Sequence, residues 1–411
     1  MKMKDSGIAW IGEIPEEWEL SKIGAVYEER NEKVSDEDFP PLSVTKQGVV
    51  PQLETAAKTI DGENRKLICK NDFVINSRSD RRGSCGVSEY DGSCSLINTV
   101  LKPRRNMCNA YYSFVFRSER FADEFYRWGN GIVDDLWSTK WSNMKRIYIP
   151  APSLQEQHRI ADYLNRKCSQ IDAIIARQQE VIEKLKAYKL SVITEAVTKG
   201  LNPDVPMKDS GIPWLGNICN HYALSRVGAF CFVTKLAGFE YTDIMSSAIS
   251  DTGEVPIVRA QNVRMFNFND NIDEYIGLDV SQKLDRCTLN KKCLLITFIG
   301  AGIGDVCIFS KAMRYHLAPN VAKIEIRDEY KTILDEEYLM FYLGSLAGKG
   351  EISKISKASA QPSLSMGTIR GITIAVPPID EQRKISEYLS RKIAFIDKVV
   401  RHCRQKCCFV V

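Results

Sequence analysis

The sequence MKDSGIAWIG at residues 3–12 returns as MKDSGIPWLG at residues 207–216. The match extends without gaps over residues 3–26 and 207–230, where 13 of 24 pairs are identical. A second match joins residues 147–172 to residues 372–397, and 12 of its 26 pairs are identical. Repeats of this length exceed the ~20–50 residues of a solenoid unit. The chain is therefore expected to contain two whole domains of one architecture.

The segments between the shared stretches are different in the two copies. The offset grows from 204 to 225, so they differ by 21 residues in length, and they show little resemblance to each other. Both alternate short apolar runs with Asn, Asp and Gly, which predicts short strands joined by turns. The expected fold class is α+β with mixed sheets. Two copies of a shared frame with different interiors suit a protein that uses one scaffold to recognise two different things.

Composition sets broad limits on the function. A chain of 411 residues predicts two or three domains. The net charge of +4 is compatible with nucleic-acid binding without arguing for it. We find no apolar stretch of ~18 residues and no apolar core of a signal peptide near the start. The 13 cysteines form no C-x-x-C pair, which indicates reduced thiols and a cytoplasmic protein.

Residues 154–199 contain neither proline nor glycine and predict one long helix. Apolar residues recur at spacings of three and four, which forms a heptad-like stripe. Ser153 and Glu156 predict a capping box at its start, after the strand-like run RIYIPAP. At 1.5 Å per residue the helix would be ~67 Å long. The sequence KGLNPDVP at residues 199–206 ends it, and a second such helix begins near residue 379.

A stripe of this length needs a partner. One interpretation is a coiled coil between two chains, and the other, which we favour, is antiparallel pairing of the two helices of one chain. The candidate residues of the helix pair are Ile160, Leu164, Ile171, Ile175, Ile182, Leu185, Ile385, Leu389 and Ile396. The second copy passes into RHCRQKCCFVV, so part of the stripe over residues 182–192 is expected to lack cover. Its His402 and cysteines match no zinc spacing, and we predict no metal site.

The opening stretch carries two tryptophans, Trp10 and Trp18. Aromatic side chains bury ~150–250 Å² each. We interpret the segment as a strap that packs a terminal stretch onto its domain, in preference to a ligand contact.

Basic and amide side chains cluster in the predicted loops of both interiors. Arg, Lys, Asn and Gln are the side chains that pair with base edges or hold phosphates. A solvated loop is the alternative explanation for any one of them, and the repeated pattern is what favours DNA. The candidates are Lys46, Gln47, Arg78, Arg81, Arg82, Lys140, Arg259, Gln261, Asn262, Arg264, Lys357 and Gln361.

Motifs of catalysis are not apparent. GAGIG at residues 300–304 lacks the βαβ unit and the later acidic residue of a dinucleotide site, so a turn between strands explains it better. VPPI at residues 376–379 has no polar residue before its prolines, as an amino-methyltransferase motif requires. We see no P-loop, and the four histidines have no evident catalytic partner. The sequence therefore predicts no catalytic residue in this chain.

The order of these features resembles the specificity subunit of Type I restriction-modification enzymes. The resemblance rests on the G-I-x-W-x-G opener, the P-x-x-x-E-Q-x-x-I helix start and the duplication, and covers nearly the whole chain. It implies two target-recognition domains separated by two long antiparallel helices. Each domain would read one half of a split DNA target, and the helices would set the gap. The limits are residues 1–153 and 201–378 for the domains, and 154–200 and 379–411 for the helices.

The family further implies a non-catalytic subunit with partners that hold the cofactors. Two modification subunits would use S-adenosylmethionine, and two restriction subunits would use ATP and Mg²⁺. A modification subunit or a second chain would cover the free part of the stripe. This sequence departs from the pattern in its second opener, where Tyr222 stands in place of Trp18, and in its short final helix. A fused methyltransferase or nuclease, and a coiled-coil adaptor that does not bind DNA, stay open as alternatives.

Overall fold

The computed structural model describes residues 2–54, 62–78, 81–131, 137–300, 302–356 and 363–408, without the side chains of 353–356 and 406–408. The chain forms two compact units, Met1–Ala173 and Ile174–Val411. The division falls inside one long helix. No helix in these ranges is long and apolar enough to cross a membrane.

The first unit contains thirteen strands and four helices in its described residues, and the start of a fifth helix. The strands are β1 (Met3–Asp5), β2 (Glu13–Pro15), β3 (Glu19–Lys22), β4 (Tyr27–Arg30), β5 (Lys33–Val34), β6 (Leu42–Thr45), β7 (Gly48–Pro51), β8 (Arg65–Ile68), β9 (Phe73–Asn76), β10 (Cys85–Val87), β11 (Gly92–Cys94), β12 (Asn98–Pro103) and β13 (Tyr148–Ala151). The helices are α1 (Ile23–Val26), α2 (Asn109–Arg117), α3 (Glu119–Arg127), α4 (Trp141–Met144) and α5 (Leu154–Lys199).

The second unit contains the remainder of α5 and a set of elements that corresponds to that of the first unit. Its strands are β14 (Met207–Asp209), β15 (Asn217–Cys219), β16 (Ala223–Arg226), β17 (Cys231–Lys235), β18 (Val255–Val258), β19 (Val263–Arg264), β20 (Asn267–Phe268), β21 (Tyr275–Ile276), β22 (Thr288–Leu289), β23 (Cys293–Thr297), β24 (Val306–Phe309), β25 (Tyr315–Leu317), β26 (Val321–Ile326) and β27 (Thr373–Val376). Its helices are α6 (Val227–Phe230), α7 (Gly238–Glu240), α8 (Leu278–Lys283), α9 (Glu336–Gly344), α10 (Leu346–Ser356), α11 (Met366–Gly371) and α12 (Ile379–Cys408).

The repeated sequences fold in the same way in both units. β3 pairs with β13 so that Ser21 lies opposite Ile149, and β16 pairs with β27 so that Ser225 lies opposite Ile374. The opening hairpins β1–β2 and β14–β15 also share one register. Because every paired residue keeps its repeat position, the duplication predicted from the sequence is confirmed at the level of strand register.

The interiors, which show little resemblance in sequence, share a central sheet. Its strand order is β4–β12–β9–β10 in the first unit and β17–β26–β23–β24 in the second, and all neighbours are antiparallel. The second unit adds a mixed sheet, in which β18 and β25 are parallel. The interiors are therefore variants of one domain. Their amino-acid sequences differ, as expected, but the strand order of their central sheets is the same.

Each central sheet is buried on both faces. In β9, Phe73 and Ile75 face the helical core while Val74 faces a second cluster with Leu42 and Val100. In β23, Leu294 and Ile296 face the helical side, and Cys293 and Leu295 face the other side. Side chains on a strand alternate between faces, so a strand between two cores reads as a continuous apolar run.

The start of each long helix is tied to its unit by a buried glutamine. Gln157 Nε2 donates to the carbonyl oxygen of Pro152 at 2.8 Å, and its Oε1 accepts the backbone N–H of Cys108, which precedes α2. Gln382 repeats both bonds with Pro377 and Asp335, the residue before α9, and also donates to Ile333. One side chain thus joins the strand end, the long helix and a domain helix, which is α2 in the first unit and α9 in the second.

The predicted capping box forms only in part. The backbone N–H of Glu156 donates to Ser153 Oγ at 3.3 Å, as predicted. The Glu156 carboxylate instead accepts the indole N–H of Trp18 at 3.1 Å, and Glu381 likewise accepts the hydroxyl of Tyr222 at 2.8 Å. The strap supplies a donor that competes for the carboxylate, so the glutamate holds the opening segment against the helix.

The second half of α5 pairs with α12 within the second unit. Ile182 packs with Ile396 and Val400, and Lys189 Nζ donates to both carboxylate oxygens of Asp397 at 2.8 Å. Ile182 packs with Val400, Tyr188 lies under Lys392, and Gly200 after α5 lies beside Glu381 at the start of α12, so the helices are antiparallel, as predicted. The expectation that part of the stripe over residues 182–192 lacks cover is wrong, because Ile182 and Leu185 pack with α12 and Val192 packs against the main core.

Replacement of Gln382 by alanine tests whether this glutamine holds the start of α12 to the rest of the second unit. The change leaves the Asp335 N–H and two buried carbonyls without partners, at a cost of about 3 kcal/mol in the free energy of unfolding. Urea unfolding of the full chain measures the effect. The control is Gln405→Ala on the exposed side of α12, for which we expect a change within about 0.5 kcal/mol. Equal midpoints for both variants would contradict the assignment.

The buried His316 predicts a pH dependence of the second unit. Burial of the imidazole lowers the pKa of His316 below its usual value of 6.5, and the nearby Arg314 lowers it further. Hydrogen bonds with the backbone and the carboxylate of Glu240 raise the pKa, but burial has the larger effect. The unfolded chain then binds the proton more readily, so this contribution to stability is complete above the unfolded pKa and declines as pH falls below it. We expect a smaller fall in urea midpoint between pH 7.5 and 5.5 for His316→Gln than for the wild type. Equal falls would show that His316 does not contribute.

Candidate nucleic-acid interface

The loops between the third and fourth strands of the two central sheets occupy equivalent places. In the first unit, the backbone N–H of Thr139 donates to the carbonyl of Ser77 at 3.0 Å. In the second, that of Leu364 donates to the carbonyl of Phe298 at 2.9 Å. Both anchoring segments lead directly into a short helix, α4 or α11. The frame thus presents one loop at one position in each unit.

The chemistry of this loop differs between the units. The β9–β10 loop carries Arg78, Arg81 and Arg82. The β23–β24 loop, which contains the sequence GAGIG, has Gly300 at a φ of 99° and Gly304 at 85°. Glycine adopts such angles without the strain that a Cβ causes. The predicted turn between strands is confirmed. The β9–β10 loop thus presents guanidinium groups, whereas the equivalent β23–β24 loop presents backbone at its glycines.

A cleft of about 360 Å³ opens beside the arginine loop. Arg78 and Arg81 lie on one side of it, and the β6–β7 hairpin contributes Ser43 and Thr45. Arg65 is 3% exposed and its Nε donates to Ser93 Oγ at 2.8 Å, which holds a further guanidinium in the wall. Several cations around one concave surface create a positive potential that attracts phosphate.

Arg82 is committed to the protein itself. Its guanidinium forms an ion pair with Asp123 at 2.9 Å and lies 4.1 Å from the centre of the Tyr126 ring. Both partners are on α3, so Arg82 fastens the arginine loop to that helix. We therefore assign it a positioning role beside Arg78 and Arg81.

The other candidates of the first unit lie at exposed ends of elements. Lys46 and Gln47 form the turn of the β6–β7 hairpin, where Arg117 donates to the Lys46 carbonyl at 2.9 Å. Lys140 is exposed at the start of α4, next to the segment that anchors the arginine loop. The β6–β7 hairpin and the segment that anchors the arginine loop thus each place a lysine near that loop.

The candidates of the second unit are mostly held by acids or backbone of their own domain. Arg259 forms an ion pair with Glu274, and Gln261 donates to Asp273 at 3.1 Å. Asn262 is buried, and its amide binds the backbone of its own loop. Arg264 is exposed on the β19–β20 hairpin. Lys357 and Gln361 lie outside the described residues.

Six of the nine predicted helix-pair residues join one of three clusters. Ile182, Leu185 and Ile396 pack together between the helices, and Ile385 and Leu389 join the main core of the second unit. Ile160 packs against the core of the first unit, and Leu164, Ile171 and Ile175 are half-buried. The stripe therefore serves the domain cores at the helix ends and the helix pair in between.

Of the residues that line the cleft, sequence reasoning named Arg78 and Arg81 and missed the others, among them Arg65 and Asn98. Asn98 is buried at the cleft wall, and its Oδ1 accepts no hydrogen bond from the described residues. The signal for Arg65 was a cation within the buried strand RKLI.

Comparison with known proteins agrees with this arrangement. The family described as "Type I restriction modification DNA specificity domain" matches residues 15–184 and 239–399. The chain is 22% identical over 410 residues to the Type I restriction enzyme EcoKI specificity subunit of Escherichia coli K12, covering 94% of this chain and 84% of that protein. It is 23% identical over 263 residues to the EcoBI specificity subunit of Escherichia coli, covering 61% of this chain and 52% of that protein.

The fold has a solved counterpart. A chain from a structure described as the basis of complex assembly and conformational transition of the type I R-M system has a TM-score of 0.70. It is 14% identical, and the match covers 97% of this chain and 95% of that one. The two matched segments of the family together include most of both units. The protein belongs to the Type I restriction-modification DNA specificity family.

Proposed function

We propose that this chain is the specificity subunit of a Type I restriction-modification system and that each unit reads one half of a bipartite DNA target. The observation that carries the proposal is the pair of equivalent loops, one with arginines and one with glycines, on a repeated frame. Arginine donates two parallel hydrogen bonds to guanine O6 and N7. A glycine loop allows the backbone to approach a groove closely. Two such surfaces on one frame suit two different half-sites.

The long helices provide the second part of the proposal. They dock two modification subunits and set the gap between the half-sites. The modification subunits bring S-adenosylmethionine, and two restriction subunits bring ATP and Mg²⁺. In this scheme the chain itself supplies recognition and assembly, and catalysis takes place in the partners.

Two other functions make different predictions. A fused methyltransferase would bind S-adenosylmethionine as an isolated chain, which titration calorimetry detects. A protein adaptor without DNA affinity would leave the assembled complex without salt-dependent binding to duplex DNA. Methylome sequencing of a host that expresses the chain with its partner subunits tests the proposal directly, because it returns the split motif and its gap. Absence of any split motif would overturn it.

Replacement of Arg78 and Arg81 by alanine should relax one half of the motif only. Each bidentate contact contributes about 1–3 kcal/mol of discrimination, so we expect a loss of about 5- to 150-fold per arginine. The readout is the methylome of the assembled complex. The matched control is Arg105→Ala, an exposed arginine of the same unit outside the cleft. An unchanged motif, or relaxation in both halves, would contradict the assignment of this loop.

Insertion of one base pair into the gap should abolish specific methylation. The insertion moves the half-sites apart by ~3.4 Å and, with ~10–10.5 base pairs per turn, rotates one against the other by about a tenth of a turn. A stiff helical spacer does not follow both changes, and simultaneous engagement of two readers is lost when the linker does not fit. Methylation assays on paired oligonucleotides measure this. Equal methylation of both substrates would rule out a fixed gap.

A further inference from the structure

The turn that leads into β12 carries two exposed apolar side chains. The backbone N–H of Asn98 donates to the carbonyl of Ser95 at 3.0 Å, which places Leu96 and Ile97 at the centre of the turn. They are 41% and 42% exposed, and neither joins a hydrophobic core of the described residues. Central turn positions usually hold glycine, proline, asparagine, aspartate or serine. The turn itself therefore does not require this apolar pair.

The equivalent turn of the second unit shows what the shared fold needs at this place. The register of β12 on β9, and of β26 on β23, makes Leu96 and Ile97 equivalent to Pro319 and Asn320. Asn320 has a φ of 75°, a backbone conformation that asparagine tolerates. The second unit thus uses ordinary turn residues where the first unit has a leucine and an isoleucine. The apolar pair is an addition specific to the first unit.

Ile97 belongs to the wall of the cleft beside the arginine loop. Its carbonyl accepts the hydroxyl of Ser77 at 2.5 Å, which ties the turn to the end of β9. Leu53, which follows β7, lines the same cleft and is 46% exposed. Its N–H donates to Ser43 Oγ at 3.2 Å, so the β6–β7 hairpin positions its backbone. Two exposed apolar side chains therefore share one cleft with the guanidinium groups of the arginine loop.

This combination of side chains matches the edge of bases in the major groove of DNA. Single exposed apolar residues need no explanation, but several around one concave surface mark a contact site. Phosphates, sugars and most base edges offer hydrogen-bonding groups, which leucine and isoleucine do not satisfy. The 5-methyl group of thymine is the one methyl group that unmodified bases present in this groove, and apolar side chains contact it. A thymine therefore fits the apolar part of the cleft.

We propose that Ile97 and Leu53 are specificity-determining residues that contact the 5-methyl group of a thymine in the half-site read by the first unit. The inference rests on the proposed function and adds the chemistry of one base to it. Arg78 and Arg81 supply the polar part of the same readout. The equivalent turn of the second unit carries proline and asparagine, so this contact is confined to one half of the target.

Replacement of thymine by uracil tests the contact, because uracil lacks only the methyl group and pairs in the same way. Each thymine of the motif, on either strand, is replaced in turn, and kcat/KM of methylation by the assembled complex is measured. For the wild type we expect one half-site in which uracil lowers kcat/KM about fourfold, the effect of one buried methyl group. Ile97→Ala and Leu53→Ala should lower kcat/KM on the thymine duplex and respond little to uracil.

The matched control is Leu96→Ala. Leu96 lies in the same turn as Ile97 and is equally exposed, but it does not line the cleft. We expect this variant to keep the wild-type ratio of kcat/KM between thymine and uracil duplexes. All three side chains are exposed, so we expect the variants to unfold at the urea midpoint of the wild type, which verifies that their fold is retained.

The outcomes distinguish the thymine contact from the proposed function. A wild-type complex that methylates no split motif would overturn the proposed function itself. Methylation that no uracil lowers, or a wild-type ratio retained by both Ile97→Ala and Leu53→Ala, would overturn only the thymine contact. Loss of the ratio in Leu96→Ala would also overturn it, since the conformation of the turn and not the cleft-lining side chains would then be responsible.

Discussion

The buried glutamine at the start of each long helix is the contact on which the two units depend. Gln157 and Gln382 each accept the backbone N–H of the residue before a domain helix, α2 or α9, and donate to the strand end that precedes the long helix. Both glutamines are nearly inaccessible to solvent. In that environment an unpaired amide is expensive, so the three elements keep one relative arrangement.

A fixed frame leaves the loops at the end of the central sheet free to change. The β9–β10 and β23–β24 loops are anchored by equivalent backbone hydrogen bonds, which use no side chain. Arginines and glycines therefore occupy the same place without disturbing the cores beneath. Arg82 forms an ion pair with Asp123 of α3, and the Asn262 amide donates to backbone carbonyls of its own loop. Both side chains therefore stabilise the domain structure.

The helices combine several tasks along one stripe. At their outer ends the apolar residues complete domain cores, as Ile160 and Ile193 do, and Ile182 with Ile396 joins the helices to each other.

The amino-acid sequence by itself determined the duplication, the two long helices and their limits, and the strap, because these rest on local periodicity, on proline and glycine, and on direct identity. It also placed Arg78 and Arg81 in a loop that the structure puts beside a cleft. Only the tertiary structure decided that the dissimilar interiors share one sheet, since strand pairing joins residues far apart in sequence. It also decided that Glu156 binds Trp18, that α12 covers Ile182, and that Arg65 and Asn98 reach the cleft. Each of these is a contact between distant segments, and the physical reason is that burial and hydrogen-bond partners are set by packing and not by neighbours in the chain.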